Sequence, residues 1–506
     1  MRSAETVIIG AGAAGSVIAA RMTERSDHEV LLLEAGVDYP SPDDLPSDLR
    51  DGTRNSTKLH DWGYKHRVNS VAALRFPLPR GRVVGGSSAV NTCIALRGVP
   101  SDFDEWAALG LDDWTWARCL PAFKRLERDL DRRDEWHGAD GPIPIRRHTR
   151  DELVPWQAAF LDACERMGLP RTDDSTHPEA TGASAHPMNK IDGERMGAAR
   201  CYLTPEVRAR PNLRIQSGAL VRRVMARGGR VTGVEYELFG VVRMVAAKRV
   251  VLCGGAVATP GVLLRSGIGP RARVEAIGVT PLLDVAAVGA RLLDHPGAAF
   301  FLWPKRGVCD VKHPLIQTAY RFRSERGAHL NDLQVQPGSA VVLPFASLPL
   351  VSIMCHVGKP RGRGSITYAT ARADERPMID SRLLDDPYDR ALAVEAISMA
   401  WAISQTAPLK DMAKVVWPPP RSVADKGSLD GWIRRVCDSG YHACGTVPMG
   451  RPGEGAVDGR GRFDGIEGLI VADASLMPTV PTGNIHLPTL MIGERFGEWL
   501  RDGALC

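Results

Sequence analysis

Residues 6–36 read TVIIGAGAAGSVIAARMTERSDHEVLLLEAG, and no other stretch so narrows the folds open to this chain. The β-branched run Thr6–Ile9 predicts a short strand that ends at Gly10, Gly12 and Gly15, with Ala13 and Ala14 between the last two. A helical pattern continues to about Glu24, and a second apolar run, Val30–Leu33, stops at Glu34 and Ala35. Strand, glycine turn, helix and strand make a βαβ unit that binds a dinucleotide. The glycines allow a tight turn and close approach of a pyrophosphate, which meets the free N–H groups of the helix start. Glu34 lies nineteen residues past Gly15, where a carboxylate takes ribose hydroxyls and repels a 2′-phosphate.

With 506 residues the chain is too long for one simple core, so at least two domains are expected. Lys plus Arg exceeds Asp plus Glu by only five (64 against 59), and the basic residues are dispersed. That excludes nucleic acid as an expected partner. No segment has the apolar length of a transmembrane helix, and the apolar run near the N-terminus already belongs to the βαβ unit. The expected location is therefore cytoplasmic. The ten cysteines form no CxxC pair, and none is spaced from histidine as in a zinc site, so no metal is expected. They read as small buried hydrophobes, Cys444 among them. No HExxH, GxSxG or paired-carboxylate arrangement supports hydrolysis.

Three further stretches carry a resemblance: RGRVVGGSSAVNTCIALRG (80–98), GGAVATPGVLLRSGIGP (254–270) and LIVADASLMPTVPTGNIHLPTLMIGER (469–495). Shorter ones are PSDFDEW (100–106), HGADGPIPI (137–145), VGARLLDHP (288–296) and IDSRLLDDPYDRALAVEAI (379–397). Together they resemble, in order and along essentially the whole chain, the glucose–methanol–choline oxidoreductases, a family of FAD-dependent enzymes. The wording is most similar to bacterial alcohol oxidases and choline dehydrogenase-like members. The resemblance implies FAD as cofactor, with Gly85, Gly86, Ser87 and Asn91 in a loop beneath the flavin. Small residues there also suit close approach to backbone N–H groups. It further implies Val221 by the adenine, and Asp473 and Ala474 by the ribityl–pyrophosphate part. The position where some relatives attach FAD through histidine is Val90 here, so a non-covalent flavin is expected.

YHACGTVPMG (441–450) is similar to the family's active-site histidine motif, and His442 is the match. The partner position, filled in the family by asparagine or histidine, is His486, with Asn484 two residues earlier beside the cofactor. A neutral imidazole with an ordinary pKa of about 6.5 suits removal of a hydroxyl proton. A second donor stabilises the developing alkoxide. The resemblance thus implies oxidation of a small-molecule alcohol, with His442 as base and His486 positioning the alkoxide, roles that the two can exchange or share, and hydride passing to flavin N5. The acceptor is O2 in an oxidase, or a quinone or other carrier in a dehydrogenase. The alternative is a hydroxynitrile lyase-type FAD protein with no net redox chemistry. His295 and His137 are expected to serve structure.

The implied fold class is α/β: a Rossmann-type FAD-binding domain with an inserted α+β substrate domain built on an antiparallel sheet. The cofactor domain is expected at 1–150, 195–298 and 430–506, and the substrate domain at 151–194 and 299–429. Alternation at Ser365–Tyr368 predicts a strand of the substrate sheet. WPPPRS (417–422) reads as a loop. The stretch 319–345 offers no motif that places it against a pocket.

Overall fold

A computed structural model describes residues 2–342, 347–423 and 425–505. The positions 343–345 of the unplaced stretch, and Cys506, lie outside the described residues. Its first sheet is built around β1 (Arg2–Ile9), β2 (Val30–Leu33) and β3 (Val241–Leu252). Five parallel neighbours run in the order Leu213–Gln216, β2, β1, β3 and Ile466–Val471. β2 is buried at all four positions, as expected for a strand covered on both faces. The first half of β3 also pairs antiparallel with Arg230–Leu238, which pairs in turn with Ala219–Arg227.

Helix α1 (Ala13–Met22) follows β1 and is almost wholly buried. Gly10 has φ +100°, and a Cβ there would stand 2.4 Å from the Cys253 carbonyl oxygen. At Gly15 a Cβ would reach 1.9 Å from the Gly10 oxygen, so this glycine lets α1 lie against the turn that precedes it. Helix α2 (Gly255–Arg265) starts just past β3.

The second sheet is antiparallel. Its centre is β4 (Pro296–Pro304), β5 (Leu333–Gly338) and β6 (Val351–Val357), in the spatial order β4, β6, β5. Ala413–Trp417 and Asp438–Ser439 pair with β4, while Thr318–Phe322 and then Gly182–Ala185 extend the sheet beyond β5. Helix α3 (Pro387–Ser404) covers one face, where Leu392, Ala396, Ile397, Ala400 and Ile403 join Phe300, Val335, Ile353 and Cys355 in a core. The opposite face is left for a cavity.

Two local expectations change. Ser365–Thr367 is a strand, but it pairs with Met378–Asp380 and, through that, with Lys65–Arg67 and Arg75–Pro77. Ile366 is buried there with Tyr64, Leu78 and Val257, beside the parallel sheet's flank. Three alternating residues define a strand without saying which sheet takes it. The expected border at 298/299 falls inside β4, and the helix Lys426–Val436 buries Leu429, Trp432 and Ile433 in the second core. The segment 417–422 ends a strand at Trp417 and makes a 3-10 turn at Pro420–Ser422.

The chain's end returns to its beginning. Ile466–Val471 lies beside β3, and helix α4 (His486–Arg501) packs on α1. Glu494 of α4 is fully buried and accepts from Arg21 of α1 (2.9 Å), from Arg125 (2.8 Å) and from the Tyr202 hydroxyl (2.6 Å). Among the described residues no helix is long and apolar enough to cross a membrane.

Candidate active site

A cavity of about 740 Å³ runs from the carboxyl ends of the parallel strands to the free face of the antiparallel sheet. Its first half is bordered by the residues that follow each strand: Gly10 after β1, Glu34 after β2, Gly254 after β3 and Asp473 after Ile466–Val471. Open parallel sheets bind ligands at that edge. Gly12, Ala13, Ala14, Ala35, Gly86, Ser87, Asn91, Val221 and Ala474 border it as well, as do Asn484, His442 and His486. Of the residues read as cofactor-binding, Gly15 and Gly85 do not. Gly15 packs α1 on its turn, and Gly85, at φ +105°, donates its N–H to the Ala11 oxygen.

This half has the form a dinucleotide requires. Gly86 has φ +53°, and a Cβ on it would stand 2.8 Å from the Gly12 Cα, so two glycine backbones face each other across a gap that side chains would fill. The first turn of α1 offers its unpaired N–H groups. Glu34 is buried and accepts from Ala11 N–H (3.0 Å) and Gly36 N–H (2.8 Å), and burial pushes its carboxyl up to about 7. Asp473 braces the cradle: it accepts from Gly255 N–H, Thr259 Oγ1 and Ser475 N–H. Val221 precedes a bulge in its strand, and its carbonyl accepts from Arg265.

Where the two sheets meet, the loop 438–447 carries His442. Asp294, buried, accepts from the backbone N–H of both His295 and His442 (2.8 Å each) and from the Ser439 hydroxyl. Gly440 leaves room for the rings, since a Cβ there would lie 3.2 Å from His442 Nδ1. His442 Nδ1 is 2.9 Å from His295 Nδ1, and its Nε2 is 2.9 Å from Asn484 Nδ2. Burial, then the neighbouring His295, His356 and Arg80, hold the His442 imidazole well below its ordinary value.

His486 was expected as the direct partner of His442, and the structure gives that place to Asn484. His486 opens α4 and borders the same cavity, with Nε2 buried and without a partner among the described residues. Burial lowers it to about 4. The turn just before α4 carries Asn484 to His442, while His486 borders the cavity from the first residue of the helix. His295, read from sequence as structural, is in contact with His442. The motif VGARLLDHP marked the stretch, but nothing in it indicated the ring contact. His137 lies apart, between Asp134 (2.7 Å) and Thr176 (3.1 Å).

The second half of the cavity is a wall of alternate residues on three paired strands. Register sets Gly297, His356 and Gln334 in one row, Ala299, Met354 and Gln336 in the next, and Phe301, Ser352 and Gly338 in the third. The first row lies beside His295 and His442, because Pro296 and Gly297 pair with Ser439 and Asp438. Gln334 Nε2 donates to Gln336 Oε1 (2.9 Å). No residue of the nine carries a fixed charge, and burial holds His356 neutral, lowered to about 4.

The sequence pattern described as GMC oxidoreductase matches residues 4–297 and 360–493. This chain belongs to the GMC oxidoreductase family. It is 33% identical to the 5-(hydroxymethyl)furfural oxidase of Methylovorus sp. strain MP688, covering 97% of each chain. It is 30% identical to the oxygen-dependent choline dehydrogenase of Vibrio vulnificus strain YJ016, covering 97% of this chain and 93% of the other. The crystal structure of pyridoxine 4-oxidase from Mesorbium loti superposes with a TM-score of 0.89 at 31% identity, over 98% of this chain and 99% of that one. GMC oxidoreductases bind FAD, and the glycine cradle just described fits that cofactor.

Proposed function

We propose that this GMC oxidoreductase oxidises a small neutral primary alcohol to the carbonyl, with His442 as the general base. The observation that carries the reading is the contact of His442 Nε2 with Asn484 at the meeting point of cofactor cradle and side-chain wall. FAD, held non-covalently by Gly10, Gly12, Glu34, Gly86 and their neighbours, supplies the hydride acceptor. Val90, which borders the cavity, has only hydrocarbon to offer and forms no bond to it. Acid precipitation of the protein should therefore leave the yellow colour in the supernatant.

The substrate hydroxyl donates to His442 Nε2 in place of Asn484, whose amide then donates to the substrate oxygen. As the proton moves to Nε2, negative charge grows on that oxygen, and the donated Asn484 N–H stabilises it. His486, neutral and without a partner on Nε2 among the described residues, borders the same cavity as a second polar contact. The wall selects the rest of the molecule. Alternate strand residues lie about 6.8 Å apart, so three rows span room for one ring. Gly297, Ala299 and Gly338 leave space at its edges, and Gln334 with Gln336 offers amides to a neutral polar substituent. Dioxygen is the proposed acceptor, a reading supported by the names of the furfural oxidase, the choline dehydrogenase and the pyridoxine oxidase. We also propose that the substrate domain begins at Pro296 and includes the strand Asp438–Ser439.

The test is an anaerobic titration of the yellow protein with benzylic, furanyl and pyridyl methanols, followed by air. Bleaching of the flavin bands by one of these alcohols supports the proposal, and recolouring in air supports dioxygen as acceptor. If no alcohol bleaches the flavin while cyanohydrins are cleaved, the protein is a lyase and the proposal fails.

A further inference from the structure

We infer that His295 fixes the proton arrangement of His442, holding it as the Nδ1–H tautomer with the lone pair of Nε2 turned to the cavity. The inference rests on His442 being the base, and it adds a positioning residue that decides which nitrogen is basic.

The arrangement starts from an oxygen that only accepts. His295 Nε2 lies 2.9 Å from the Pro481 carbonyl oxygen, and a carbonyl has no proton to give. His295 must therefore carry its proton on Nε2. A neutral imidazole has one N–H, so His295 Nδ1 is a lone pair. That lone pair faces His442 Nδ1 at 2.9 Å, and a hydrogen bond between two imidazole nitrogens needs one proton between them. His442 supplies it, which leaves His442 Nε2 bare. The opposite assignment would set the His295 Nε2 lone pair against the Pro481 oxygen, at a residue 3% exposed. Burial lowers His295 to about 3, so the ring stays neutral and the doubly protonated form does not compete.

The Pro481 carbonyl is itself held in place. Asp102 accepts from Thr482 N–H and Thr482 Oγ1 (2.9 Å each) and from Lys359 Nζ (3.0 Å), while Lys359 also donates to the Val480 oxygen (3.0 Å). All of these groups are buried. The stretch PSDFDEW, which sequence reading left without a chemical part, thus anchors the acceptor that starts the chain of tautomers. The order runs from Pro481 oxygen to His295, from His295 to His442, and from His442 Nε2 to the substrate. When the alcohol O–H bond breaks, its electron pair stays on oxygen and its proton forms the new N–H at His442 Nε2. The His442 Nδ1–H remains shared with His295, which accepts from the cation so formed. The charged and titratable groups facing the two rings are His356 of β6, Arg80, Asp294 and Asp102.

The test reads the tautomer directly in the FAD-loaded protein. With 15N-labelled histidine, signals are assigned by their loss in His442→Asn and His295→Gln. A pyrrole-type Nδ1 and pyridine-type Nε2 at His442, with the reverse at His295, is expected. A pyrrole-type Nε2 at His442 overturns the inference, whatever the enzyme's activity. Kinetics give the second reading. His295→Gln keeps one donor for Pro481 and one acceptor for His442, and should stay within about tenfold of the parent in flavin reduction. His295→Leu should fall by about 10²-fold, toward the loss of the base itself. A tautomer ratio does not change with pH, so that loss should persist from about pH 6 to 9. Equal rates in the Leu and Gln variants, or recovery of the Leu variant at high pH, overturn the positioning role. Failure of the base reading shows separately, as an unaffected His442→Ala with the tautomers still as assigned.

Discussion

The two halves of the cavity are made of different material. The cofactor half is backbone: glycine Cα atoms, free N–H groups of α1 and the turns that follow parallel strands. The substrate half is side chain: nine alternate residues on three antiparallel strands. A backbone surface is shaped by where side chains are missing, so a single added methyl group damages it. A side-chain wall tolerates substitution and changes what it accepts. One family can thus keep one cofactor and present many walls.

Substitutions can break or sharpen that contrast. Gly86→Ala places a methyl group against Gly12 at a left-handed backbone position, and should lower FAD affinity by more than about 10²-fold while leaving the far-ultraviolet circular dichroism intact. Retained flavin would remove the distinction between the halves. His442→Ala sits at their junction. It should keep FAD bound, yet slow anaerobic flavin reduction by about 10²–10⁴-fold in stopped flow. The parent's reduction rate should hold its plateau below pH 6.5, because a depressed pKa keeps the base neutral further into acid. Gln336→Leu lies wholly in the wall: KM for an alcohol with a polar ring substituent should rise about tenfold, KM for the unsubstituted alcohol should hardly move, and flavin content should stay the same. Equal changes for both alcohols would deny the wall its selective role.

The smallest effect concerns stability. His356 is neutral when folded and binds a proton near pH 6.5 when unfolded, so the unfolded state takes up more protons in the window from about 6.5 down to 4. Acid therefore costs the parent stability that His356→Gln does not lose, by no more than about 3 kcal/mol at the lower end. Denaturant midpoints at pH 7.5 and 5 measure the difference. Parallel curves for the two proteins would mean that His356 is not held neutral.

The contrast also explains what could be read in the sequence. Gly10, Gly12 and Glu34 are legible because a backbone cradle demands particular residues at set spacings, and Gly86 through the family resemblance. The family resemblance marked His442, but it put His486 in the place where the structure sets Asn484. The wall was not: Gln334, Met354 and His356 acquire meaning only from strand register, which joins residues far apart in the chain. The same holds for Ser365–Thr367, whose alternation showed a strand but not its partner. Asn484 and His486, two residues apart, differ in their contact with His442 because one precedes a helix and the other begins it. His295 was in a recognised stretch, but its part depends on a carbonyl 186 residues away.

The buried Glu494, tying the last helix to Arg21, has a consequence in time. A ribosome makes β1, α1 and the glycine turn well before the strand Ile466–Val471, Asp473 and Asn484. A growing chain accordingly carries an unfinished cofactor cradle with its parallel sheet open along β3. The flavin's home closes only once α4 has been made and Glu494 has met Arg21 and Arg125, so any shorter chain lacks a finished cradle.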